Sequence, residues 1–80
     1  MGRVKVKLFA TLRRYAPELP VGQAMEVEVP PDTSLGDLLT RLGVPHEEVQ
    51  IVYVNNVWRD LSYQLANGDQ IGVFPTVGGG

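Results

Sequence analysis

The stretch SLGDLLTRLGVP is the most clearly delimited element in this chain, and it limits what the remaining residues can build. Leu35, Leu38, Leu39 and Leu42 recur at i, i+3, i+4 and i+7, the spacing that lines one side of an α-helix with leucine. Ser34 stands in the N-cap position with Asp37 three residues on, a shorter relative of the capping box. Gly43 is placed to close the helix in a left-handed conformation, and Pro45 prevents its continuation. A single amphipathic helix cannot bury its own apolar stripe, so the rest of the chain must supply a sheet for it to lie on.

The flanking sequence has the period of such a sheet. In RVKVKLF, Val4, Val6 and Leu8 alternate with Lys5, Lys7 and Phe9, and in MEVEV, Met25, Val27 and Val29 alternate with Glu26 and Glu28. IVYV and VWRDL are separated by Asn55-Asn56, a pair able to take the positive φ angles of a tight hairpin turn, so these runs should pair antiparallel. After the turn residues ANGD, the segment QIGVF places Ile71 and Val73 on one face and Gln70, Gly72 and Phe74 on the other. Between the first two strands, LRRYA predicts a turn or two of helix capped by Thr11 and stopped by Pro17, followed by a loop over PELPVGQA. The predicted order is strand, short helix, strand, helix and three strands, an α+β layer with one main helix on one side of the sheet.

Eighty residues suit one domain, and a chain of this length buries only about 60% of its unfolded surface. The 44% hydrophobic content is sufficient for such a core. No cysteine is present, which excludes disulfides, Cys-based zinc sites and an internal thiol nucleophile. The net charge of -2 arises from interspersed acidic and basic residues without a basic stripe, which argues against nucleic-acid binding. No apolar run approaches the roughly 20 residues of a membrane span, the opening MGRVKVKLFA lacks the apolar block of a signal peptide, and Val6 occupies the place where a myristoylation signal has Ser or Thr. A cytoplasmic location and no membrane partner are therefore expected.

The chain carries no catalytic constellation. There is no phosphate-binding GxxxxGK[ST] loop, and the lone His46, beside Pro45 and Glu47, reads as a solvated loop or helix-start residue. No metal site is expected. Two other features stand out. Strand parity puts Lys5, Lys7, Phe9, Gly72 and Phe74 on the face opposite the helix, and the Asn55-Asn56 turn places Tyr53 across from Trp58 on the same face. Four aromatic residues on an exposed face suggest a docking surface. The second feature is the ending FPTVGGG, whose glycines lack the Cβ that would obstruct passage through a narrow channel. It is either a loose end or a reactive terminus.

The opening VKVKLFATLRR, the mid-chain VNN, the LANGD turn and the ending FPTVGGG, in this order and covering essentially the whole chain, resemble the MoaD/ThiS-type sulfur carriers, and among them the molybdopterin synthase small subunits most closely. The family ending is typically Pro-Pro-Val-x-Gly-Gly. Pro75, Val77, Gly79 and Gly80 match it, Gly78 fills the variable place, and Thr76 replaces the second proline. The loop at PELPVGQ favours the molybdopterin side over the shorter thiamine-pathway carriers.

The resemblance implies a ubiquitin-like β-grasp over residues 1–80, with the terminal strands parallel at the centre of a mixed sheet and a flexible tail over 75–80. It further implies that an E1-like enzyme adenylates the Gly80 carboxylate with ATP, and that sulfur from a persulfide donor enzyme converts it to a thiocarboxylate. This chain would bind no cofactor itself. The tail residues Pro75, Val77, Gly78 and Gly79 would enter the partner's channel. Phe9, Trp58 and Phe74 match the positions that contact the activating enzyme and the synthase large subunit, Arg13 matches a basic position near the tail, and Gly72 would let a partner approach closely. The same machinery serves tRNA thiolation and conjugation to protein lysines, and a β-grasp interaction module without tail chemistry is the contrasting expectation.

Overall fold

The computed structural model describes residues 2–20 and 22–76. Its strands are β1 (Gly2–Leu8), β2 (Met25–Val29), β3 (Val49–Val54), β4 (Val57–Arg59) and β5 (Gln70–Pro75), with one α-helix, α1 (Leu35–Leu42). The sheet order is β2-β1-β5-β3-β4. β1 and β5 are parallel neighbours in register Val6↔Ile71 and Leu8↔Val73, while β1–β2, β3–β5 and β3–β4 are antiparallel. The fold is the ubiquitin-like β-grasp, a mixed sheet on one main helix.

Alternation along the strands decides which face is buried. Val4, Val6, Leu8, Val52, Val54, Ile71 and Val73 point to one side and meet Leu35, Leu38 and Leu39 of α1 in the core. The three leucines are fully buried, and burial of a leucine side chain contributes roughly 1.5–3 kcal/mol. The helix ends follow the sequence. The Ser34 Oγ accepts from the Asp37 N–H, the Asp37 carboxylate accepts from the Ser34 N–H, and Gly43 closes the helix at φ 78°. The turn between β3 and β4 is built by Asn55 and Asn56 at φ 53° and 69°, both positive as a type I′ hairpin requires.

Two features depart from the sequence reading. The segment after β1 is a 3₁₀ helix over Ala10–Tyr15, with Phe9 rather than Thr11 in the N-cap position and no side-chain cap. Its one buried residue is Leu12, so core burial of that side chain holds the segment in place of capping. The second is the stretch 61–65, which doubles back along the start of α1. Leu35 and Gly36 donate to the carbonyls of Tyr63 and Leu61 at 3.0 and 2.9 Å, and Leu65 donates to Thr33 at 2.9 Å. Two N–H groups that a helix start leaves unpaired are thereby satisfied by distant backbone.

Asp69 fixes the approach to β5. It is buried, and its carboxylate accepts from the Asn55 Nδ2 at 3.0 Å, the Ala66 N–H at 2.8 Å and the Tyr63 hydroxyl at 3.3 Å. Partial burial and, next, the Asp69 charge push the Tyr63 phenol above its ordinary range. Asp69→Ala removes the charged acceptor shared by all three donors and is expected to lower stability by about 1.5–3 kcal/mol in urea denaturation. A loss within experimental error would show that Asp69 does not organise this end of the sheet.

Candidate docking face and tail root

The face of the sheet opposite α1 is the candidate site, and its centre is made by the β1–β5 pairing. Because Leu8 is in register with Val73, the next residues along both strands, Phe9 and Phe74, fall side by side. Their rings stack with centroids 4.2 Å apart and planes within 5°, and the Tyr53 ring meets Phe74 edge-on at 5.7 Å. Between Lys7 and Tyr53 in register lies Gly72. A Cβ on Gly72 would stand 3.3 Å from the Phe9 ring and 3.6 Å from the Phe74 ring. The glycine therefore makes room for the chain's own aromatic rings.

Around these rings is a shallow depression of about 420 Å³, lined by Phe9, Gly72, Phe74, Tyr53, Lys5 and Lys7. The Lys7 ammonium lies 5.7 Å from the Phe9 ring centroid, over its face. The site thus combines apolar ring faces with positive charge at its rim. Trp58 pairs with Tyr53 across the hairpin, as strand parity requires, and is 58% exposed. It stands apart from the stacked rings, however, and borders a separate cleft with Val49, Gln50 and Leu61. The short β4 carries it to the sheet margin, two strands away from β5.

The exit from β5 differs from expectation. Pro75 is buried and paired with Val49, so the tail cannot begin at 75. The Thr76 N–H donates to the Glu48 carbonyl at 3.1 Å, continuing the contact beyond the proline. Val77, Gly78, Gly79 and Gly80 lie outside the described residues. Arg13 is exposed beside Leu19 and Pro20, whereas its neighbour Arg14 reaches the tail root and pairs with the Glu48 carboxylate. Tyr15 donates its hydroxyl to the same carboxylate at 2.8 Å, and the Arg14 guanidinium donates to the Tyr15 oxygen at 3.1 Å. That hydrogen bond and, next, the Glu48 charge raise the Arg14 pKa further. Sequence reasoning missed this cluster because its members are 33 and 34 residues apart and no local pattern joins them.

Among the described residues no group of three or more His, Asp or Glu converges as a metal site, and no helix is long and apolar enough to cross a membrane. A family model described as Mut7-C ubiquitin matches residues 1–78. The chain belongs to this ubiquitin-like family. A search of curated protein sequences finds no match for this Mut7-C ubiquitin domain.

Solved structures align with the domain over nearly its whole length. A Pyrococcus furiosus protein provisionally described as molybdopterin converting factor, subunit 1, is 28% identical, with 96% of this chain and 100% of that chain covered and a TM-score of 0.74. A structure of small archaeal modifier protein 1 of Haloferax volcanii is 25% identical, again with 96% and 100% covered and a TM-score of 0.74. The Caldiarchaeum subterraneum ubiquitin, at 16% identity, 99% and 98% coverage and a TM-score of 0.64, shares the fold. Together these matches place the Mut7-C ubiquitin domain among the MoaD/ThiS-type proteins, with the fold of small ubiquitin-like modifiers and sulfur carriers.

The ring packing is directly testable. Gly72→Val should push Phe9 off Phe74, abolish their mutual ring-current shifts in the aromatic NMR spectrum and cost about 1 kcal/mol of stability. Unchanged aromatic shifts would mean that the rings do not depend on Gly72.

Proposed function

We propose that this domain is a sulfur carrier whose Gly80 carboxylate is adenylated by an E1-like enzyme and then converted to a thiocarboxylate that supplies sulfur for molybdopterin formation. The observation that carries this reading is the stacked Phe9–Phe74 pair at the end of β5. It sets an aromatic anchor immediately before the segment that leads to the glycines. The likeness to molybdopterin converting factor, subunit 1, supports the same pathway.

The chemistry divides between the chain and its partners. A carboxylate becomes an acyl donor only after its oxygen is made a good leaving group, and the phosphate-binding apparatus for that step is assigned to the activating enzyme, which uses ATP. The outer sulfur of a persulfide enzyme then attacks the acyl carbon and expels AMP, and a thiol reductant cleaves the resulting acyl disulfide, becoming oxidised to a disulfide and leaving the thiocarboxylate. In this reading the domain contributes position: docking through Phe9 and Phe74, with Lys7 at the rim, and presentation of Gly80. The residues Val77 to Gly80, at about 3.3 Å each when extended, would span roughly 13 Å. Glycine at 78, 79 and 80 suits a channel too narrow for side chains. The synthase large subunit is the second partner, receiving the thiocarboxylate through the same face.

A second reading is favoured by the likeness to small archaeal modifier protein 1: the activated Gly80 is transferred to a lysine amine of another protein. One experiment separates them. With an E1-like enzyme, ATP, a persulfide donor and a thiol reductant, sulfur should replace one oxygen on the peptide ending in Gly80, located by fragmentation because oxidation of Met1 or Met25 adds nearly the same mass. Appending one residue after Gly80 should abolish the modification. Thiolation of the extended chain, or failure of Gly80 to be adenylated at all, would contradict the carrier reading; adenylation followed only by isopeptide bonds would favour the modifier. Phe74→Ala should weaken partner binding by about 2 kcal/mol or more in calorimetry, whereas removing Gly79 and Gly80 should change folding stability by less than about 0.5 kcal/mol.

A further inference from the structure

The last backbone contact before the tail is built from three parts of the chain. Pro75 has no N–H, so β5 loses a donor at its final residue, and the Thr76 N–H takes up the contact by donating to the Glu48 carbonyl at 3.1 Å. Glu48 ends the 3₁₀ turn over His46–Glu48, where the cap has no side-chain hydrogen bond. What holds Glu48 in place is its carboxylate: one oxygen pairs with Arg14, the other accepts from Tyr15 at 2.8 Å, and Arg14 and Tyr15 are bonded to each other at 3.1 Å. The Arg14 guanidinium also lies 5.1 Å from the Tyr15 ring centroid. Tyr15 in turn packs against the core.

An exposed ion pair is usually worth little, and Arg14 is 58% exposed. This one differs in what it restrains. It fastens the side chain of the residue whose carbonyl holds Thr76, and therefore acts on the direction in which the chain leaves the sheet. Its bearing on global stability is small, and what it restrains is the position of Thr76, the last described residue before the glycines.

We infer that Glu48, held by Arg14 and Tyr15, is a positioning residue that aims the tail and thereby sets the rate at which Gly80 is activated. The inference rests on the carrier or modifier reading for its effect on activation, but its structural half does not. Phe9, Phe74 and Lys7 lie on the other side of this division of labour: they set how tightly the partner docks, and the Glu48 cluster sets how well the docked tail is aimed.

The test uses the full chain with Glu48→Ala, Arg14→Ala and Arg14→Lys. With the E1-like enzyme that adenylates the wild type, measured by ATP–pyrophosphate exchange, Glu48→Ala should lower kcat about tenfold or more while KM stays within about twofold. Arg14→Ala should lower kcat in the same sense, and Arg14→Lys should restore part of it. Hydrogen exchange of the Thr76 amide should speed up about tenfold in Glu48→Ala without a change at core amides such as those of Val6 and Val73. Unchanged kcat, or a loss confined to KM or matched by a fall in Tm, would overturn the inference. If no E1-like enzyme adenylates the wild type, the functional reading fails by itself, and the Thr76 exchange rate still decides the structural half: the same rate in Glu48→Ala and wild type would refute the clamp.

Discussion

The parallel pairing of β1 with β5 is the constraint on which the rest of this molecule depends. It joins the first strand to the last, so the pairing closes the whole intervening chain into one loop. A single register serves both faces of the sheet. On the inner face, Val6 beside Ile71 and Leu8 beside Val73 build the floor on which Leu35, Leu38 and Leu39 pack. On the outer face, the next step of the same two strands stacks Phe9 on Phe74. A slip of one residue would exchange the faces, leaving valines in water and lysines against the helix. Core and outer aromatic face are therefore specified by the same contacts.

The outer surface then divides by charge and by distance from that pairing. Near the centre are ring faces, Gly72 beneath them and lysines at the rim. At the margin beyond β1, Arg3 lies near Glu26 and Glu28 at 3.7 and 4.0 Å, an exposed set worth little in stability but suited to pinning an edge strand. At the opposite margin Trp58 is left apart from the stacked rings, on a strand of three residues. Large aromatic side chains are frequent interface anchors, and here two such regions differ in character: a stacked, preformed cluster beside β5 and a lone indole at the sheet edge.

What could be read from the sequence was whatever depended on short-range periodicity. The leucine spacing and its Ser34 and Gly43 boundaries, the alternation in RVKVKLF and QIGVF, and the Asn55-Asn56 turn all appear in the fold where their local chemistry puts them. The parallel placement of the terminal strands came from family resemblance, since alternation alone does not give strand order. What escaped were contacts between residues far apart. The backbone bonds from 61–65 to the start of α1, the Asp69 node and the Arg14–Tyr15–Glu48 cluster each join segments with no shared pattern. Arg13 and Arg14 are adjacent and chemically alike, and only the 3₁₀ path through Ala10–Tyr15 determines which of them reaches Glu48. The family ending that Pro75 matches places it in the tail, yet a proline is tolerated at a strand end where its missing N–H is not needed.

The central claim is that the aromatic face at the end of β5 receives the activating partner while the tail root stays fixed on Glu48. Amide and methyl chemical-shift mapping of the labelled domain, titrated with an E1-like enzyme in the absence of ATP, tests it most directly. The account predicts that perturbations centre on Lys7, Phe9, Gly72 and Phe74 and that the Thr76 amide exchanges no faster in the complex than in the free domain, with α1 unaffected. Perturbations centred on α1, or on Trp58 with the Phe9–Phe74 stack silent, would contradict it.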